Sequence, residues 1–303
     1  MMDFIGKKQW FFLSSAILIV AGIISLAIFG LNLHTDFASG TSMVLQFSPP
    51  IEQSSLAQAV DELGYGKITP QPEGETNFRI QIAQITRGEA QELAEELARK
   101  LGSDAQIIEF ASVPPAVGAE TARNAGIAVI VAAVAMLFYI VWAFRRMPKP
   151  FRWGSCAVIA LVHNVFIIVG IFSLLGWLAG VKIDALFITG LLAVVGYSIN
   201  NTVVVFDRIR ENVSRHTSTD FAETVNTSLT DTLARCLNSA LTTLFVLLAL
   251  FLFGGATIHY FVLVLLLGVI IGTYSSICVA GPLLVVWERH EWSALLPWAR
   301  TRT

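Results

Sequence analysis

Charge is what this sequence has least of. Only 14% of its 303 residues are Asp, Glu, Lys or Arg, against roughly 25% in soluble domains. So few charges cannot cover the surface of a soluble protein this long. Low charge with high hydrophobicity also excludes a disordered chain, which lacks a core for the opposite reason. The net charge of −2 gives no basic field, so no nucleic-acid partner is expected. Cysteine is scarce. Cys156, Cys236 and Cys278 all lie in apolar runs, an odd set without metal spacing, and read as small buried packing residues. No phosphate loop, dinucleotide motif or zinc spacing is present. No cofactor, metal or catalytic residue is therefore expected, and any ATP hydrolysis belongs to another component.

What the chain has is apolar length. Hydrophobic residues make up 55% of it, and 22 glycines raise the apolar share to about 62%, well above the soluble average. Six runs reach the ~20 residues needed to cross a bilayer: residues 10–31, 125–144, 153–178, 185–206, 236–253 and 261–287. The first follows Lys7 and Lys8 and has no small-residue cleavage site after it, so it reads as an uncleaved helix. Lys7 and Lys8, Arg145, Arg146, Lys149 and Arg152, Arg208, Arg210, Arg215 and Arg235, and Arg289, Arg300 and Arg302 all fall on one side if the spans alternate. The opposite short loops hold only Lys182. The positive-inside rule then places both termini in the cytoplasm.

Between the first two spans lies a polar, patterned insert. Residues 41–47 alternate as a strand, and 51–63 carry Leu56, Ala59, Val60 and Leu63 at helical spacing before Gly64. Residues 67–71 and 77–83 read as two strands around Glu73-Gly74. Thr86-Arg87-Gly88-Glu89 has the capping-box pattern, opening a helix to Leu101 that stops at Gly102. Residues 105–113 form a last strand. The order βαββαβ predicts a ferredoxin-like α+β domain. The expected organisation is a cytoplasmic start and first span (1–33), an extracytoplasmic domain (34–122), spans two to six (123–288) and a cytoplasmic tail (289–303). An amphipathic cytoplasmic segment on the membrane surface is expected at about 207–234.

Polar residues inside a membrane mark interior faces or pathways. Span three holds His163 and Asn164. Span four holds Tyr197, Ser198, Asn200, Asn201 and Thr202. Span five opens at Arg235, followed by Asn238, Ser239, Thr242 and Thr243. His163, Asn164, Ser198, Asn200, Asn201 and Arg235 are candidates for a polar or ion-relay network. Interhelical hydrogen bonding is the alternative role for such groups. Arg235 needs a partner, either Asp231 one turn earlier or a carboxylate on another chain. Gly268-x-x-x-Gly272-x-x-x-Ser276 in span six predicts close helix packing.

One span, a large external insert and five more spans resembles one half of a resistance–nodulation–division (RND) transporter, so a partner of matching architecture is expected. A more specific resemblance lies in Val195–Asn212, which includes Gly196-Tyr197-Ser198-Ile199-Asn200-Asn201-Thr202 and ends in Asp207-Arg208-Ile209-Arg210-Glu211-Asn212. Asp36-Phe37-Ala38-Ser39-Gly40-Thr41, Val113-Pro114-Pro115-Ala116-Val117-Gly118, residues 226–235, Phe253-Gly254-Gly255 and Gly272-Thr273-Tyr274-Ser275-Ser276 follow suit. Together they resemble the SecF side of the SecD/SecF family of bacterial protein-export membrane proteins over nearly the whole chain. The resemblance implies the bacterial cytoplasmic membrane and a role in late preprotein export. It also implies a six-span SecD-like partner, the SecYEG channel, the translocating preprotein and the lipid bilayer as surroundings. Energy would come from an ion gradient. The sequence departs from the family at the residues linked to proton movement, with Asn201 and Asn164 standing where the family has aspartates. Ser39 replaces a glycine and Cys236 a threonine. An amide carries no proton, so either the partner supplies the carboxylate, His163 titrates instead, or the chain works without proton coupling. Two other readings remain, half of an RND-type lipid or small-molecule transporter and a hydrolase built on Ser198 and His163.

Overall fold

The computed structural model describes residues 2–74 and 76–292. The expected tail therefore lies outside the described residues from 293 onward. Six helices are long and apolar enough to cross a membrane: Lys8–Phe29, Pro115–Ala143, Pro150–Ala179, Ala185–Ser214, Phe221–Phe253 and Thr257–Arg289. In chain order the elements are α1 (Lys8–Phe29), α2 (Thr35–Ala38), β1 (Gly40–Ser48), α3 (Gln53–Glu62), β2 (Gln71–Pro72), β3 (Asn77–Ile82), α4 (Arg87–Leu101), β4 (Asp104–Val113), α5 (Pro115–Ala143), α6 (Pro150–Ala179), α7 (Ala185–Ser214), α8 (Phe221–Phe253), α9 (Ala256–Ser275), a π-helical turn (Ser276–Ala280) and α10 (Gly281–Arg289). The last span runs through α9, the π turn and α10. Pro282 sits in the first turn of α10. It lacks the N–H that would continue the ladder, and the wider turn absorbs the break.

The chain divides into two compact units. Residues 32–126 together with 180–185 form one, and the remaining segments form the other. In the first, a four-stranded antiparallel sheet has the order β2-β3-β1-β4. Met43, Leu45 and Phe47 alternate along β1 onto one face, where they bury with Leu56 and Val60 of α3 and Leu93 and Leu97 of α4. The capping box forms as read: Glu89 N–H donates to Thr86 Oγ1 and Thr86 N–H to the Glu89 carboxylate at 2.7 Å. Gly102 closes α4 in the left-handed conformation at φ 66°.

Two expectations need correction, those for residues 67–71 and 207–234. Residues 67–71 are not a strand; only Gln71–Pro72 pairs, and Pro70, just before it, lacks a ladder donor. The sheet-bearing unit is drawn from two stretches of chain, 32–126 and 180–185. The loop 180–185 belongs to it, lying on the helix-free face of the sheet, where Gln71 Nε2 donates to Gly180 O at 2.9 Å and Lys182 meets Gln81. Finally, residues 207–234 make no separate surface helix. They are the end of α7 and the opening turns of α8, which fold back as a hairpin and tie Asn212 to Ser228 at 2.9 Å.

One backbone position carries strain. Ser39 has φ 62° and ψ 166°, a region populated almost only by glycine at a cost of ~1–3 kcal/mol for other residues. It is also the position where the resembled motif has glycine. Ser39→Gly is expected to stabilise the sheet-bearing unit by about 1 kcal/mol net of the entropy glycine adds to the unfolded chain. Thermal unfolding of the purified full-length chain, with and without the change, measures this.

Candidate functional site

The polar residues of the spans fall into three groups, the first two meeting at Ser198. The first joins α6, α7 and the last span in the interior. His163 Nδ1 lies 3.0 Å from Asn164 Oδ1, and Asn164 Nδ2 donates to Ser198 Oγ at 2.7 Å. All three are buried. The His163 ring stacks near Tyr274 with centroids 6.4 Å apart, and Tyr274 Oη donates to Phe11 O of α1 at 2.9 Å. His163 Nε2 and Tyr197 Oη are buried with no hydrogen-bond partner among the described residues. Ser198 receives the Asn164 amide, not an imidazole, so the geometry a serine hydrolase needs is not what joins these two spans.

The second group is the α7–α9 contact. Gly268 meets Val194, Gly272 meets Ser198, and Ser276 Oγ lies 2.9 Å from Thr202 Oγ1. Small residues four apart on one helix thus match positions four apart on the other, which lets the backbones approach closely. Asn201 is enclosed here, its Nδ2 donating to Thr273 Oγ1 at 3.2 Å. Thr273 went unflagged as a site residue by the sequence; its only signal was the Gly272-Thr273-Tyr274-Ser275-Ser276 run.

The third group lies on the surface of the helices. Asn200 points away from its neighbour and is exposed, as are Arg235 and Asn238 of α8. Arg235 forms no ion pair or hydrogen bond among the described residues. Asp231, its expected local partner, is taken by Arg208 at 2.7 Å. The hairpin brings Arg208 of α7 across to α8, and that guanidinium also holds Glu211 at 2.7 Å while Asp207 pairs with Arg210 at 2.6 Å. Asp207, Arg208, Arg210 and Glu211 thus stitch the end of α7 to itself and to α8. Arg235 stands on a stripe with Asn238, Leu241, Thr242 and Phe245, all exposed. Only 11% of the α8 span is buried, and 6% of the α5 span, against 61% of the last.

Sequence reasoning also passed over a cluster within the sheet-bearing unit. Asp36 of α2 accepts from Ala185 N–H at 3.1 Å and lies 3.2 Å from His34 Nδ1. The hydrogen bond from His34 holds the Asp36 carboxyl below the usual carboxylate range; burial opposes this and the Ala185 amide adds to it.

A multi-span membrane protein with amide, imidazole and hydroxyl groups buried among its helices, and with a separate small α+β unit, is the class these features define. A family model described as "Protein export membrane protein SecD/SecF, C-terminal" matches residues 93–290, and one described as "SecD/SecF GG Motif" matches residues 24–51. The protein translocase subunit SecF of Thermobaculum terrenum is 42% identical over 304 residues, covering 96% of this chain and 95% of that one. The subunit SecDF of Bacillus subtilis is 33% identical over 95% of this chain, which spans 38% of the larger protein. The crystal structure of SecDF from Thermus thermophilus, titled a translocon-associated membrane protein, superposes with a TM-score of 0.84 at 32% identity, covering 95% of this chain and 39% of that one. The chain belongs to the SecD/SecF family of protein-export membrane proteins.

Proposed function

We propose that this chain is an accessory subunit of the Sec translocase that works with a SecD-like six-span partner on late steps of preprotein export. The observation that carries this beyond family membership is the uncovered stripe around Arg235. A guanidinium at the edge of a hydrocarbon core is costly unless paired, and its candidate within the chain is already bound to Arg208. Relatives in which this sequence is about two fifths of a SecDF protein support a partner that covers this face. We assign the proton-carrying carboxylate of an ion-driven cycle to that partner, because Asn201 and Asn164 cannot titrate. Both termini face the cytoplasm in this reading, supported by the Lys and Arg distribution. The sheet order β2-β3-β1-β4 supports a ferredoxin-like reading of the external unit, which would face the SecYEG channel exit and the emerging preprotein.

Depleting the chain from its own cell and following a secreted precursor by pulse–chase tests the proposal. Slowed maturation or release is expected; untouched export with accumulation of a lipid or small solute would return the RND transporter reading. Asn201→Asp is expected to make release more sensitive to the proton gradient, since it restores a titrating group beside Thr273. Unchanged gradient dependence would assign Asn201 to helix packing alone.

A further inference from the structure

The four-stranded sheet ends in unequal edges. β2 pairs over two residues, whereas β4 runs for ten with a neighbouring strand on one side only. Edge strands present unpaired main-chain groups, and the register says which ones. Phe47 N–H donates to Thr76 O at 2.9 Å, on the β3 side of β1. Main-chain direction alternates along a strand, so Gln46 and Val44 turn the other way and meet Gln106 and Glu109 of β4. Ala105, Ile107 and Phe110 therefore point their N–H and C=O groups away from the sheet. No main-chain group among the described residues bonds to them there.

Beside this edge lies a groove of about 320 Å³. Ala105, Gln106 and Ile107 line it from the strand, and Arg87, Gln91 and Glu95 line it from α4. A spacing of four residues puts those three side chains on one stripe of the helix. All three are exposed, and none makes a side-chain hydrogen bond or ion pair within the groove. From Arg87 to Glu95 the helix rises about 12 Å, the length of about four extended residues. A cation and an anion on the same wall give no preference for one sign of charge. The groove thus offers what an extended main chain needs, a row of free donors and acceptors facing uncommitted polar side chains, without selecting one sequence.

The bulge in β4 separates the occupants this edge could take. Ile107 and Glu109 face Leu45 and Val44, which are adjacent, so Ile108 is the extra residue. A bulge bends and twists its strand, one of the devices that keep preformed sheets from pairing edge to edge. The regular run before it, residues 104–107, suits a short flexible strand better than the edge of a second folded sheet.

We propose that an extended, unfolded polypeptide segment binds this groove by strand addition to β4, held by main-chain bonds to Ala105 and Ile107 and by Arg87, Gln91 and Glu95 opposite. The inference deepens the export reading above, which supplies such a segment in the translocating preprotein.

The full-length chain, purified in detergent and titrated with a dye-labelled peptide of alternating Thr and Val, tests it. Ala105→Pro removes one outward donor and leaves the pairing with β1, at a place where an edge strand tolerates proline. It is expected to weaken binding about tenfold, the factor for one main-chain bond, at an unchanged melting temperature. Gln91→Trp fills the groove from the helix wall without touching the strand and is expected to weaken binding to the same degree. It carries the test alone if the proline disturbs the fold. The same peptide with its amides N-methylated keeps its side chains but lacks donors, and is expected not to bind. Native affinity in either folded variant, or binding of the methylated peptide, overturns strand addition here and leaves the export reading intact. In cells, a photoreactive phenylalanine analogue in place of Gln91 is expected to cross-link to a precursor arrested during export. Cross-links confined to a second copy of the chain or to its SecD-like partner overturn the proposed occupant. Peptide binding in a chain whose depletion leaves export untouched overturns the export reading, and the preprotein as occupant with it.

Discussion

Replacing Arg235 with leucine is expected to cost the chain its hold on its SecD-like partner. Breaking one side of a desolvated ion pair leaves the other charge stranded, typically at ~3 kcal/mol or more. At 1.4 kcal/mol per tenfold, that is roughly a hundredfold weaker association. Within this chain the change should be mild, because the guanidinium is exposed and makes no bond among the described residues. Co-purification with the partner should therefore fall while the chain's own thermal stability stays near native, and gradient-dependent precursor release should fall with it. Arg235→Lys should retain part of both, since the charge remains but the planar fork does not. A leucine variant that still co-purifies and still supports release would show that no carboxylate meets this face.

The second large effect is internal. A Cβ on Gly268 would stand 2.0 Å from Val194 Cγ2, 2.6 Å from Cγ1 and 2.8 Å from Cβ. All three atoms belong to one β-branched side chain on a helix, which has little rotamer freedom to move aside. Gly268→Ala must therefore part α7 from α9. A cost of about 3 kcal/mol is expected, at the upper end for overpacking. The loss should also loosen Asn201 from Thr273 and Ser276 from Thr202, which lie further along the same contact. Thermal unfolding in detergent measures the cost. Val194→Ala introduced alongside should recover much of it, as expected for residues in direct contact. Equal stability of Gly268→Ala and the native chain would refute the contact.

The spans were legible because hydropathy is read along one dimension, and the capping box because its partners are three residues apart. What the sequence hid was everything decided between distant segments. Asn200 and Asn201 are adjacent, yet about 100° apart around the helix. One is enclosed with Thr273 and the other exposed, and nothing local says which. Asp231 sits one turn from Arg235, a pairing that helical spacing allows, but the hairpin delivers Arg208 to it first. Residues 67–71 alternate well enough for a strand, but Pro70 has no amide hydrogen and the pairing begins only after it. The loop at 180–185 is short and carries one charge of each sign, Lys182 and Asp184, so its membership in the sheet-bearing unit has no signature except the residues it touches.

The turn at Gly30 recurs at Gly180. Each glycine has φ 67°, each is followed by a bridged residue three places on, and each leads into a new helix two places after that. Between Gly180 and Ala185 the number of residues is consequently not a matter of reach. It sets the rotational phase at which α7 begins. With 3.6 residues to a turn, one residue more or fewer in that loop would turn every side chain of α7 by about 100°. The groove that now receives Asn201 would then be offered a neighbour's side chain instead.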